Sequence, residues 1–199
     1  MNITYEQMKD YFKLLDGRLQ LNGSPMFSIV VCGGTALNAM QLVQRTTKDV
    51  DIVALMDSNG NLADPAPLPN ELLQAAKEVA DTLNLQKDWL NNGPSSDDGG
   101  LFRLGLPEGF KERLTKGYHG QKLAVFYISR LDQIHFKLYA AVDQFGSYHA
   151  ADLKQLAPTD DELSQAVKWS MTHDPSDGFR ISMKLFMERF GYERLAETI

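Results

Sequence analysis

CGGTALNAMQLVQRTTKDVDIV, Cys32 to Val53, is the stretch on which the fold is read. It continues the apolar, β-branched run FSIVVC (Phe27 to Cys32), which predicts a buried strand. Gly33, Gly34 and Thr35 follow, and then Ala36 to Val43 predicts a short helix. Asp49 to Met56 (DVDIVALM) predicts a second strand. In a strand, residues i and i+2 share a face, so Asp49 and Asp51 point one way while Val50 and Ile52 point the other. Two anions that close repel unless water or a cation lies between them. An oxygen-only pair suits Mg²⁺, which is held by one or two carboxylates with substrate phosphates completing its shell. An ordinary half-exposed strand with its polar residues outward explains the same letters, and both readings stand here.

The glycines have two readings as well. Between a strand and a helix they admit backbone angles that other residues resist. The amides of such a turn, with the positive end of a helix dipole behind them, make a phosphate cradle, to which Thr35 would add a hydroxyl. A tight turn without a ligand is the alternative. The Gly-Lys-Ser/Thr ending of a P-loop is absent, and so is a dinucleotide fingerprint.

Composition bounds the rest. The 199 residues suit one domain of ordinary size or a core with an appendage, and 43% hydrophobic residues are enough to fill a core. A net charge of −6 argues against coating nucleic acid through a broad basic surface. Cys32 is the single cysteine, which excludes an intrachain disulfide and fits a reducing cytoplasm. The opening MNITYEQMKDYFKLLDG carries charges throughout, and no window approaches the roughly 18 apolar residues of a membrane span. A cytoplasmic protein with no membrane partner is expected.

Outward from the central stretch, Tyr5, Met8, Phe12, Leu15 and Leu19 form one helical stripe over 4–19, opened by a Thr4/Gln7 capping box. Residues 70–83 predict a helix, 107–114 a short one, and Lys122 to Ile128 (KLAVFYI) a third strand. Ser129 is placed to cap a helix to about Phe145, with Ile134, Leu138 and Ala141 on its stripe. Thr159 and Glu162 form a capping box before a helix to about Met171, and a last helix over 177–190 ends at Gly191. Residues 57–69 and 91–100 read as loops. The expected class is α/β (α+β), with a small mixed sheet, flanking helices and a helical C-terminal part. The expected domains are 1–157 and a helical extension over 158–199.

Strand, Gly-Gly-Thr, helix, then a strand opening Asp-x-Asp resembles the nucleotidyltransferase superfamily of the DNA polymerase β type. Gly-Gly-Thr-Ala-Leu with Arg45-Thr46-Thr47-Lys48-Asp49-Val50-Asp51-Ile52 looks like its branch related to abortive-infection toxins. Phe136-Lys137-Leu138-Tyr139 and Ala151-Asp152-Leu153 look like that branch's later pieces. The resemblance covers roughly 27–56 and 122–156. It implies Mg²⁺ or Mn²⁺ on Asp49 and Asp51, with the phosphates of a nucleoside triphosphate on Gly33, Gly34 and Thr35. Arg45 or Lys48 would assist, Lys137 would pair with the phosphates, and Asp152 would orient the acceptor or a metal. Acceptors implied are RNA, protein or a small molecule, and an antitoxin protein is an implied partner. The chain departs from the wider family where a later strand carries a third carboxylate, because KLAVFYI has none. Asp152, Asp97 or Asp98 would have to substitute.

Other residues are plainer. Lys137 lies at the edge of an apolar stripe, where a lysine must snorkel or meet an anion. Trp89-Leu90-Asn91 also resembles members of that branch, without a role attached. The four histidines lack zinc-ligand spacing. Arg103, Lys111, Arg113, Lys116 and Lys122 make either a phosphate-contacting edge for RNA or a solvated face.

Overall fold

The computed structural model describes residues 4–43, 47–144 and 147–199. The chain divides into two compact units, Met1–Ser129 and Arg130–Ile199.

The first unit is built on a mixed six-stranded sheet. Helix α1 (Tyr5–Leu21) opens with the expected capping box, the Thr4 hydroxyl and Gln7 side chain each accepting the other's backbone N–H. Strand β1 (Phe27–Cys32) leads into α2 (Gly33–Ala39), and β2 (Val50–Met56) returns antiparallel to β1. Two-residue strands β3 (Leu62–Ala63) and β4 (Leu90–Asn91) both pair with β2, at Leu55–Met56 and Val50–Asp51 respectively. Between them runs α3 (Asn70–Leu83), and after β4 comes the single turn α4 (Leu101–Leu104). β5 (Thr115–His119) pairs antiparallel with β6 (Leu123–Tyr127), which lies parallel to β1.

One face of this sheet makes the core. Ile29, Val31, Val50, Ile52, Leu123 and Val125 pack with Phe12, Leu15 and Leu19 of α1 and with Leu72, Ala76 and Val79 of α3. Trp89 is fully buried among them; its indole N–H donates to the Ala76 carbonyl at 2.9 Å, and its own carbonyl accepts the Val50 N–H at 2.6 Å. Trp89-Leu90-Asn91 is thus the splice that fastens the start of β2.

Two bulges shape the sheet. The β1–β2 register shifts between Val30 and Val31, so Val31 faces Ile52 while Val30 faces Ala54. Without that extra residue, simple alternation would carry Ala54 to the wrong face. The second bulge lies between Lys116 and Tyr118 in β5. There the Tyr127 ring lies so close over Gly117 that a Cβ would collide with it.

Several local expectations are corrected. α2 begins at Gly33, not Ala36, and ends at Ala39, where Gln41 turns the chain out at φ +57°. β2 begins at Val50, so Asp49 stands just ahead of it. The helix expected over 107–114 is a 3₁₀ turn, Lys111–Arg113. β5 was not expected at all, because a glycine bulge breaks its alternation.

The second unit is helical. α5 (Arg130–Asp143) packs against α6 (Tyr148–Gln155), α7 (Asp160–His173) and α8 (Asp177–Arg189), and α9 (Glu193–Ala196) packs on α8. The predicted Phe145 end of α5 lies outside the described residues. α7 carries the expected Thr159/Glu162 capping box, and Gly191 leaves α8 at φ +84°. His135, Phe136 and Tyr139 of α5 gather around Trp169 of α7. No helix among the described residues is long and apolar enough to cross a membrane.

Candidate functional site

The β1–α2 corner and the start of β2 form one unit. Cys32, the last residue of β1, stands opposite Asp51 in the ladder, and directly opposed residues share a sheet face. Asp51 therefore stands on the face opposite Val50 and Ile52, beside the point where the chain turns into α2. Gly33 makes that turn at φ +66°, in the left-handed region that favours glycine. The space over its Cα is taken by Asp51: a Cβ at Gly33 would collide with Oδ2, with Cγ at 3.4 Å and Cβ at 3.6 Å. Both properties of glycine, its backbone freedom and its missing side chain, are used at one position.

Asp49 is placed by hydroxyls. Thr35 is buried at 3% exposure, and its hydroxyl donates to the Asp49 carbonyl at 2.7 Å. Thr47 donates to the same carbonyl at 3.2 Å and approaches the Asp49 carboxylate at 3.4 Å. Expected as a phosphate ligand, Thr35 spends its proton on holding α2 to the start of β2. Asp49 and Asp51 are both half-buried, Lys48 is exposed, and Gly34 is buried. Arg45 lies outside the described residues. Asn91 pairs with Asp51 across β4–β2, but its amide is used locally, accepting from the Gly93 N–H at 2.7 Å and donating to the Asp88 carbonyl at 3.3 Å.

The electrostatics of the corner are specific. A helix start carries partial positive charge, so the Asp51 carboxylate there is favourable with no metal present. A phosphate brought to the same amides would meet that carboxylate. Two anions there repel, and a cation between them would relieve the repulsion. The donors on hand are carboxylate oxygens, which suit Mg²⁺ or Mn²⁺. Among the described residues no group of three or more His, Cys, Asp or Glu side chains gathers to hold a metal ion, so a cation at the Asp49/Asp51 pair would take further oxygens from water or substrate.

The second unit holds the other two expected residues, and it brings them together. The Lys137 ammonium lies 2.9 Å from the Asp152 carboxylate, with both side chains at most 4% exposed. His149 Nδ1 lies 3.3 Å from the same ammonium, and the Tyr148 ring centroid 5.3 Å from it. Lys137 thus meets an anion rather than snorkelling, and its donors face groups of α6.

The candidate substitute bases are engaged elsewhere. Asp98 pairs with Arg103 at 2.7 Å, and Asp97 accepts the Gly99 N–H at 3.0 Å. Arg103 also binds Asp64 at 2.7 Å, and that guanidinium holds the Asp64 carboxyl below its ordinary range. The basic run over 103–122 is consequently divided: Arg103 ties loops together, while Lys116 lies over the Phe126 ring.

Sequence reasoning gave no anchoring role to three polar residues. Thr47 has a local signal, a hydroxyl two residues ahead of Asp49. Ser95 is fully buried, donating to the Val53 carbonyl at 3.0 Å and accepting the Phe102 N–H at 3.2 Å. Asp16, 6% exposed on α1, accepts the backbone N–H groups of Lys122 at 2.6 Å and Gln121 at 3.2 Å, closing the β5–β6 turn. Nothing within the α1 segment announces a partner more than a hundred residues away.

No known protein family, curated protein or solved structure matches the chain.

Proposed function

We propose that the chain is a metal-dependent nucleotidyltransferase that moves a nucleoside monophosphate from a nucleoside triphosphate to an acceptor hydroxyl. The reading is supported by the motif resemblance and by one observation above the rest: the Asp51 carboxylate stands directly over Gly33 at the start of α2. A positive charge beside Asp51 would favour a phosphate at that corner. Mg²⁺ or Mn²⁺ held by Asp49 and Asp51 would supply that charge and favour departure of the leaving phosphates. Gly33 and Gly34 present backbone to the phosphates, while Thr35 and Thr47 keep Asp49 in place. In the reaction the acceptor oxygen bonds to the α-phosphorus and the bond to the bridging oxygen breaks. Pyrophosphate leaves with that electron pair, and the acceptor proton passes to solvent or a base. The acceptor class is RNA, protein or a small molecule. The toxin resemblance adds an antitoxin protein as partner, tested by growth arrest on expression that Asp51→Ala abolishes.

A second reading is a nucleotide-binding or interaction module that keeps the fold without turnover. The lack of a carboxylate on β6 and the engagement of Lys137 by Asp152 favour it.

Label transfer from α-labelled triphosphates in lysate, with Mg²⁺ or Mn²⁺, separates the readings. Transfer lost in Asp49→Ala/Asp51→Ala supports the enzyme and names the acceptor. Binding without transfer supports the module. Tripolyphosphate isolates the charge argument: wild type should bind it only with divalent cation, and Asp51→Asn should bind it with far weaker metal dependence. Metal-independent binding by wild type would sink the assignment of Asp51.

A further inference from the structure

The ladder sets Cys32, Asp51 and Asn91 in one row across β1, β2 and β4. Leu90, one residue earlier, lies opposite Val50 in the core, so Asn91 turns to the face that carries Asp51. With neighbouring strands about 4.8 Å apart, Asn91 stands about 10 Å from Cys32, on the far side of Asp51 from Gly33. Its amide is oriented and half spent. Oδ1 accepts the Gly93 N–H at 2.7 Å and Nδ2 donates to the Asp88 carbonyl at 3.3 Å, which fixes the way the amide points. An asparagine amide offers two donors and two acceptor lone pairs, so one N–H and one lone pair are left over. The residue is half-buried, which leaves them within reach of a ligand. A phosphate oxygen only accepts, and it would meet the lone pair as well as the N–H. A hydroxyl both donates and accepts, and so matches the two together.

We infer that Asn91 holds a ribose hydroxyl of the nucleoside triphosphate, which rests on the nucleotidyl-transfer reading of this corner. Under that reading the phosphates lie over Gly33 and Gly34, and the nucleotide continues past Asp51 to β4, where Asn91 meets the sugar. The acceptor hydroxyl is a poorer match. It gives up its proton during transfer and ends as an ester oxygen that can only accept, whereas the ribose hydroxyls keep their protons throughout. Asn91 is then the residue that tells a ribonucleotide from a deoxyribonucleotide.

Calorimetric binding of the full chain to ATP, CTP, GTP and UTP with Mg²⁺ or Mn²⁺, each beside its 2′-deoxy and 3′-deoxy forms, tests it. For a triphosphate that binds, one of its deoxy forms should bind about five- to twentyfold more weakly, the worth of one or two hydrogen bonds. Asn91→Ala should bring that ratio to about one. A purely structural role, exercised through Gly93 and Asp88, would weaken ribo and deoxy forms alike and leave the ratio unchanged. Asn91→Asp still accepts from the Gly93 N–H and from a hydroxyl, so it should keep a ratio of at least about two. Wild type that binds ribo and deoxy forms equally overturns the inference, whether or not the variants fold. An Asn91→Ala protein that keeps the full ratio overturns it too. Both results leave the nucleotidyl-transfer reading standing, whereas wild type that binds no triphosphate overturns that reading and this inference together.

Discussion

Gly33→Ala is the sharpest test of the β1–β2 corner. An L-residue at φ +66° pays about 1–2 kcal/mol against its Cβ. The new methyl also runs into Asp51 Oδ2. Asp51 has a short side chain, and its backbone is held by pairing with Cys32 and Asn91, so it yields only by swinging its carboxylate away or shifting the strand. Overpacking of that kind costs about 1–3 kcal/mol, for a total of roughly 2–5 kcal/mol. For a chain of 199 residues each kcal/mol is about 2–4 °C, so the melting temperature should fall by roughly 4–20 °C. The two contributions can be separated. Asp51→Ala removes the colliding oxygen and leaves only a Cβ at 3.6 Å, an ordinary contact. In that background Gly33→Ala should cost the backbone strain alone, so the pair should show a coupling of about 1–3 kcal/mol. The chain has two tryptophans, so urea unfolding followed by Trp89 fluorescence in a Trp169→Phe background reports on the first unit. Additivity within about 0.5 kcal/mol would refute the claim that Gly33 and Asp51 share one space.

Lys137→Met or Asp152→Leu alone should destabilise the second unit by about 3–5 kcal/mol, since each deprives a buried charge of its opposite charge, whereas the double replacement should recover most of that loss. Urea midpoints of the three variants check this, and a double variant as weak as the singles would count against it. The Arg130 guanidinium beside Glu162 holds that carboxyl below its usual value of 4.5. Its contribution to stability is present above that pH and lost as pH falls through the lowered value, so the gap between wild type and Glu162→Gln should close on acidification. A gap unchanged from pH 7 to about 3 would contradict the sign. Asp16→Ala should cost about 2–4 kcal/mol by stranding the N–H groups of Gln121 and Lys122, and hydrogen exchange at those amides should quicken.

Features with a local cause were legible in the sequence. Both capping boxes are four-residue patterns, and both form. The α1 stripe was visible because Met8, Phe12, Leu15 and Leu19 all face a single core. The close relation of Gly-Gly-Thr to Asp-x-Asp was legible as a pattern, but the way it closes was not. Thr35 looked like a ligand because its target, a carbonyl fourteen residues on, is set by the strand return. Lys137 could be seen to need either a path to solvent or an anion, whereas the choice between them, and the anion's identity, depended on how α6 folds back. β5 was hidden because its residues are mostly exposed and Gly117 interrupts their alternation. Two-residue strands such as β3 and β4 are too short to carry a period.

That same β5 is the outermost strand on its side of the sheet. An edge strand can recruit a strand from a neighbouring molecule and seed insoluble aggregates. Here the row of hydrogen-bonding groups is broken at Gly117, and exposed Lys116 and His119 flank the break. A substituent at Gly117 would drive off the Tyr127 ring, and loss of that packing would threaten the irregularity with it. The glycine thus bears on how concentrated the protein can become before it precipitates, a property that no assay of the Asp49/Asp51 corner would detect.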